Sequence, residues 1–328
     1  MLLGLVFAIS GLAALTLAAD QFVKGAARLA IIFRVAPVIV GAVVIGFGTS
    51  APEMVVSGLA AFDDNLDIGV GNVIGSNVAN ISLVLAAAAF VTVLPVSSET
   101  VRQQAPISVA AVLVFAGLLQ GDLDRWEGGL LAVLLAGVLI AVLRTSRATD
   151  PLAGDVEELV GDEQHSVNFE ALRTVMGLVV VVVSAWFIVE GATRVADELD
   201  LSGGFVGFTL VAVGTSAPEL VTAIAAARQG ETDLLIGNLL GSNVFNSLAV
   251  GGVIGLVGPG PVVDTRLAQW GSLLMIAIVV ISWIMMMTGA RVTRREGVVL
   301  LGLWVVSVIV LSGGESADQA ASALLNIR

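Results

Sequence analysis

At 328 residues, 57% hydrophobic and only 13% charged, the chain is too apolar for a soluble domain and reads as an all-α integral membrane protein. It has no cysteine, which excludes a disulfide framework, a thiol nucleophile and a thiolate metal site. A net charge of −12, with Lys24 the single lysine, argues against nucleic acid and leaves the lipid bilayer as the expected surrounding.

A helix needs about 20 apolar residues to cross a bilayer. Ten such runs follow in chain order: 2–27, 35–61, 67–93, 105–120, 126–143, 173–195, 203–228, 234–258, 266–289 and 297–312. The first starts apolar at Leu2, without a basic leader or a cleavage site, and is expected to be a retained helix. Between the fifth and sixth runs lies an acidic stretch with Asp155, Glu157, Glu158, Asp162 and Glu163. It lacks the alternating ligands and central glycine of a calcium loop, so it reads as a solvated linker. His165, the single histidine, falls there too. Three units are expected: 1–143 as a first five-helix repeat, 144–172 as linker and 173–328 as a second five-helix repeat. Loops on alternate sides carry eleven basic residues against four. The richer side is expected to be cytoplasmic, which puts the 144–172 loop inside a cell membrane and both termini outside.

The second run contains Gly48-Thr49-Ser50-Ala51-Pro52-Glu53, and the seventh an identical copy, Gly214-Thr215-Ser216-Ala217-Pro218-Glu219. A glutamate at membrane depth is costly unless function needs it. Proline removes one N–H and crowds the carbonyl four residues back, so Pro52 and Pro218 are expected to bend their helices, free the carbonyls of Gly48 and Gly214 and loosen those of Thr49 and Thr215. Adding 166 to a residue number maps Val23–Asn80 onto the second half without a gap, and 17 of the 33 positions from Gly48 to Asn80 are identical. Five helices per half is an odd number, so the second half is expected to start from the opposite side of the membrane. Inverted repeats with broken helices at mid-membrane are a signature of alternating-access transporters.

The third and eighth runs add a polar stripe. Asn72, Ser76 and Asn80 are spaced by four and share a helix face, as do Asn238, Ser242 and Asn246. Asn77 and Asn243 read either as part of this site or as amide glue between helices. Asp63, Asp64 and Asp67, beside the connection before the third run, read either as a cation funnel or as plain solvated residues. The expected site is all oxygen, which suits calcium and sodium and disfavours zinc, copper and iron. Two carboxylates balance one Ca²⁺, while three Na⁺ take them to +1.

GTSAPE with GSNVAN in one half, and GTSAPE with GSNVFN in the other, resemble the paired repeats of the cation/calcium antiporters, the prokaryotic sodium/calcium exchangers in particular. The resemblance spans nearly the whole chain. It implies ten helices, ion sites between helices 2, 3, 7 and 8, Na⁺-driven Ca²⁺ movement without a cofactor, and sliding of helices 1 and 6 past the core. Carried over by position, it implies Glu53 and Glu219 as shared carboxylates and backbone carbonyls at Thr49, Thr215 and Ala212. Ser50, Ser216, Ser76 and Ser242 would supply hydroxyls, and Asn80 an amide oxygen. Asn246 departs from the aspartate frequent at its position, keeping an oxygen but not the titratable charge.

The leading expectation is therefore a Na⁺/Ca²⁺ antiporter and not an enzyme. A proton-driven exchanger on the same scaffold is the alternative; such relatives tend to carry a histidine near Asn80 and Asn246, and none stands there. A passive channel fits two carboxylates at a repeat interface less well. An intramembrane protease would need a serine with a basic partner or paired aspartates.

Overall fold

The computed structural model describes residues 1–33, 50–145 and 166–312, which are almost entirely helical. In the first half, α1 (Leu2–Ile32) is followed by α2 (Ala51–Phe62), α3 (Leu66–Val91), α4 (Thr100–Leu118) and α5 (Arg125–Thr145). In the second, α6 (Val167–Leu199) leads to a two-armed α7, Gly203–Thr215 and Ala217–Gln229. Then come α8 (Thr232–Val257), α9 (Leu267–Gly289) and α10 (Arg294–Ser312). Among the described residues, eight helices are long and apolar enough to cross a membrane, or nine if α7 is one span. The expected span 35–61 lies partly outside the described residues; within them it is the short apolar helix α2.

Several helix ends run past their expected limits, among them the start of α4 at Thr100. α1 continues to Ile32, and α6 begins at Val167, so residues 167–172, assigned to the linker from sequence, are helical. The charged residues near these α1 and α6 ends are paired. Arg28 Nη1 lies 2.9 Å from Glu170 Oε1, and Lys24 Nζ 2.9 Å from Asp20 Oδ1. Ser166 caps α6 by accepting the Phe169 N–H at 3.3 Å, which satisfies one of the open donors of the first turn.

α3 and α8 form the centre, with 83% and 78% of their apolar stretches buried, against 17% for α5 and 22% for α10. The Asn-bearing helices are thus wrapped by the purely apolar ones, whose outer faces suit lipid. α1 and α6 run antiparallel in close contact. A Cβ on Gly11 would collide with Ile188 and the Ser184 carbonyl, and one on Gly177 with the Phe22 backbone. Gly11 and Gly177 are 166 apart, as are Phe22 and Ile188, so one close approach is used twice.

The halves also grip each other at their loops. β1 (Leu94–Pro95) pairs antiparallel with β2 (Arg291–Val292), and Leu123 bridges Gly260. Leu94 and Gly260 are again 166 apart. Asp67 accepts the Val263 and Asp264 N–H groups at 2.9 and 3.1 Å, and its repeat mate Asp233 accepts the Ser97 N–H at 3.1 Å. Ser97 is in turn the mate of Val263. Asp67 is therefore a clasp between halves, a role that neither the funnel nor the solvation reading foresaw.

Candidate functional site

The second hexapeptide breaks its helix outright. The two arms of α7 meet at Ser216 with a bend of 45°. Pro218 sits in the first turn of the second arm, where its missing N–H is not needed. Pro52 has the same place in α2, after Ser50. Glu53 and Glu219 consequently lie in first turns, where the unsatisfied N–H groups and the helix dipole favour negative charge. Thr49, the remaining predicted member of the first copy, lies outside the described residues.

Both glutamates are buried, at 0% and 1% exposure, and each accepts from a serine. Ser216, from the second hexapeptide, donates to Glu53 Oε1 at 3.5 Å. Ser50, from the first, lies 3.4 Å from Ser242, which donates to Glu219 Oε1 at 3.4 Å. The polar stripe of α3 joins the same cluster. Ser76 and Thr215 both donate to Asn72 Oδ1, at 3.4 and 3.1 Å. Asn72 Nδ2 donates to Ser57 Oγ at 2.9 Å and to the Glu53 carbonyl at 3.5 Å. Asn80 Nδ2 donates to Ser242 Oγ at 3.3 Å. The Ala212 carbonyl accepts the Ser216 N–H at 3.0 Å and lies 3.3 Å from the Thr215 hydroxyl, whose one hydrogen has Asn72 Oδ1 as its nearer acceptor. Ser50, Glu53, Thr215, Ser216 and Glu219 thus gather with Asn72, Ser76, Asn80 and Ser242, whereas Asn246 is buried without a hydrogen bond to them and Asn238, only half-buried, does not join them.

Sequence reasoning missed two features there. Ser57 anchors Asn72; its position four residues after Glu53, on the same face, was the available signal. A π-helical turn begins at Asn80 (Asn80–Val84) and another at Asn246 (Asn246–Val250), again 166 apart. Such turns add a residue to the helical round and are frequent at functional sites. Nothing in the local sequence announces them.

Several buried atoms of this cluster have no hydrogen-bond partner: Glu53 Oε2, Glu219 Oε2, Asn80 Oδ1, and both amide atoms of Asn246. A buried polar atom left unmatched costs about 1–3 kcal/mol, more when charged. Four of these five atoms are oxygens, a set that a dehydrated cation would satisfy. Among the described residues no three His, Cys, Asp or Glu side chains cluster, so the two carboxylates stand among neutral oxygens only. That composition suits hard cations held weakly enough to leave.

The family model described as sodium/calcium exchanger protein matches residues 3–144 and 170–313. The putative antiporter CaxA of Alkalimonas amylolytica is 35% identical over 311 residues, covering 92% of this chain and 96% of its own. The sodium/calcium exchanger MaX1 of Methanosarcina acetivorans is 30% identical, covering 95% and 97%. Among solved structures, the sodium-calcium exchanger NCX_Mj soaked with Na⁺ and Sr²⁺ aligns with a TM-score of 0.63 at 28% identity, over 94% of this chain and 98% of the other.

Proposed function

The chain belongs to the sodium/calcium exchanger protein family, a family of membrane antiporters, and we propose that it expels Ca²⁺ in exchange for inward Na⁺ at a site midway across the membrane. The observation that carries this reading is the pair of buried glutamates, one from each half, each bonded by a serine and each keeping one oxygen without a partner. An ion stripped of its water would replace that water with these oxygens.

The proposed architecture is ten helices in two inverted five-helix repeats, 1–143 and 173–328, joined by a cytoplasmic linker over 144–172, in the plasma membrane with both termini outside. The crosswise clasps of Asp67 with Val263 and Asp233 with Ser97 support it, because mates exchange partners as a twofold axis requires. Two inverted halves around one site can expose it to either side in turn.

Glu53 and Glu219 are the proposed charged ligands of both ions. Hydroxyls of Ser50, Ser216, Ser76 and Ser242, amide oxygens of Asn80 and Asn246, and carbonyls at Thr49, Thr215 and Ala212 complete the set. The Ala212 carbonyl keeps a lone pair for this beyond its bond from the Ser216 N–H. With Asn246 neutral, the site carries two negative charges. One Ca²⁺ cancels them, and three Na⁺ leave a single positive charge. Exchange of three for one moves one net charge inward, so the membrane potential assists by about 2.3 kcal/mol per 100 mV.

The test is ⁴⁵Ca²⁺ uptake into proteoliposomes under imposed Na⁺, K⁺ and H⁺ gradients in turn. Uptake driven by the Na⁺ gradient, and stimulated by an inside-positive potential, is expected. Uptake driven by a pH step in sodium-free buffer would overturn sodium coupling. Calcium flux indifferent to the opposing ion would overturn exchange itself.

A further inference from the structure

Asn243 is fully buried on α8, next to Ser242. Its Nδ2 donates to the backbone carbonyl of Asn77 at 3.2 Å. A carbonyl can only accept, so this contact fixes which end of the Asn243 amide is nitrogen, a choice otherwise open to reversal. Its Oδ1 then faces the other way and accepts from Asn80 Nδ2 at 3.3 Å. The other hydrogen of Asn80 Nδ2 goes to Ser242 Oγ. A reversed Asn80 amide would set two oxygens against each other. Asn80 Oδ1 is therefore turned away from Asn243, buried and without a partner.

We propose that Asn243 is a positioning residue that locks the Asn80 amide with its oxygen toward the exchanged cation. This inference rests on the exchanger reading and deepens it. The orientation is passed on in sequence, from a backbone carbonyl through one amide to the next. The repeat supplies a contrast. Asn77 is the mate of Asn243, and Asn246 the mate of Asn80. Asn77 Nδ2 donates to Ser247 Oγ at 3.0 Å and to the Met275 sulfur at 3.4 Å, not to Asn246. Neither amide atom of Asn246 has a partner, so the lock acts on one half alone.

Equilibrium ⁴⁵Ca²⁺ binding to the purified full-length protein tests this without reference to the coupling ion. Asn243→Ala is expected to weaken binding about tenfold, the loss of one oriented ligand. In an Asn80→Ala background the same substitution is expected to add less than about twofold, because its route to the ion is gone. Asn77→Ala, which also removes a buried amide hydrogen bond, is expected to stay within about threefold of the unsubstituted protein. Multiplying effects of Asn243→Ala and Asn80→Ala, unchanged binding in Asn243→Ala, or an equal loss in Asn77→Ala would each overturn the inference. If Asn243→Ala does not survive purification, Asn243→Ser, also too short to hold Asn80, is judged by the same comparisons. An unsubstituted protein that binds no Ca²⁺ overturns the exchanger reading and this inference together. Normal binding there with indifferent variants overturns this inference alone.

Discussion

Glu53 and Glu219 stand on identical hexapeptides, yet the two halves hold them differently. In the first half, Ser57 anchors Asn72, which in turn reaches the Glu53 carbonyl and the Thr215 hydroxyl. The mate of Ser57 is Ala223, so the second half has no such anchor. Away from the site the halves diverge again. Arg28 is locked to Glu170 across the α1–α6 contact at 2.9 Å. Its mate Arg194 comes instead to Gly4, the mate of Glu170; it pairs with Glu190 on its own helix and covers the Phe7 ring at 5.6 Å. The comparison teaches that duplication has kept the groups proposed to touch the ions and let some of their supports diverge. A site that needs two carboxylates constrains both copies, whereas one anchor and one interhelical latch suffice for stability.

The largest expected effect tests the shared part. Glu53→Gln and Glu219→Gln should each lower Na⁺-driven ⁴⁵Ca²⁺ flux by on the order of a hundredfold or more, since each removes half the charge that balances a buried divalent ion. Near-normal flux in one of them would mean that the copies have divided the work. Glu170→Ala comes next. It removes the α6 partner of the buried Arg28 and should cost about 1–3 kcal/mol of stability, read by thermal unfolding in detergent. Ser57→Ala converts the first half to the pattern of the second and should cost about 1 kcal/mol, with a measurable rise in the Ca²⁺ concentration for half-maximal flux. Arg194→Ala should cost under about 1 kcal/mol, because its ion pair is exposed and only the ring contact is lost. Ala223→Ser, the reverse swap, should change stability by less than about 0.5 kcal/mol, as the new hydroxyl can bond back to its own helix.

Much of this was legible in the sequence because it depends on period and identity. The paired GTSAPE runs, the stripes of Asn72, Ser76 and Asn80 and of Asn238, Ser242 and Asn246, and the offset of 166 all follow from counting. The structure then brings most of the described members of that set together, Asn238 excepted. What counting could not reach depends on partners far along the chain. Glu170 looked like linker because its partner, Arg28, is 142 positions away. Asp67 looked solvated because Val263 is 196 positions away. The repeat held a clue, since Asp67 and Asp233 are mates, but a shared acid says nothing about what it clasps. The orientation of the Asn80 amide and the π turns beginning at Asn80 and Asn246 are set by packing around them, and no local pattern encodes them.

The strand pair of Leu94–Pro95 with Arg291–Val292, and the bridge of Leu123 to Gly260, bind the loops of α3–α5 to those of α8–α10. Each is only a few residues long, but together they rivet the central helices into one frame. α1 and α6 have no such rivet among the described residues; their smooth glycine-lined seam ties them chiefly to one another. On the exchanger reading, the frame is the stator and that pair the shuttle, so cross-linking α1 to α2 should jam the machine while cross-linking β1 to β2 should leave it running.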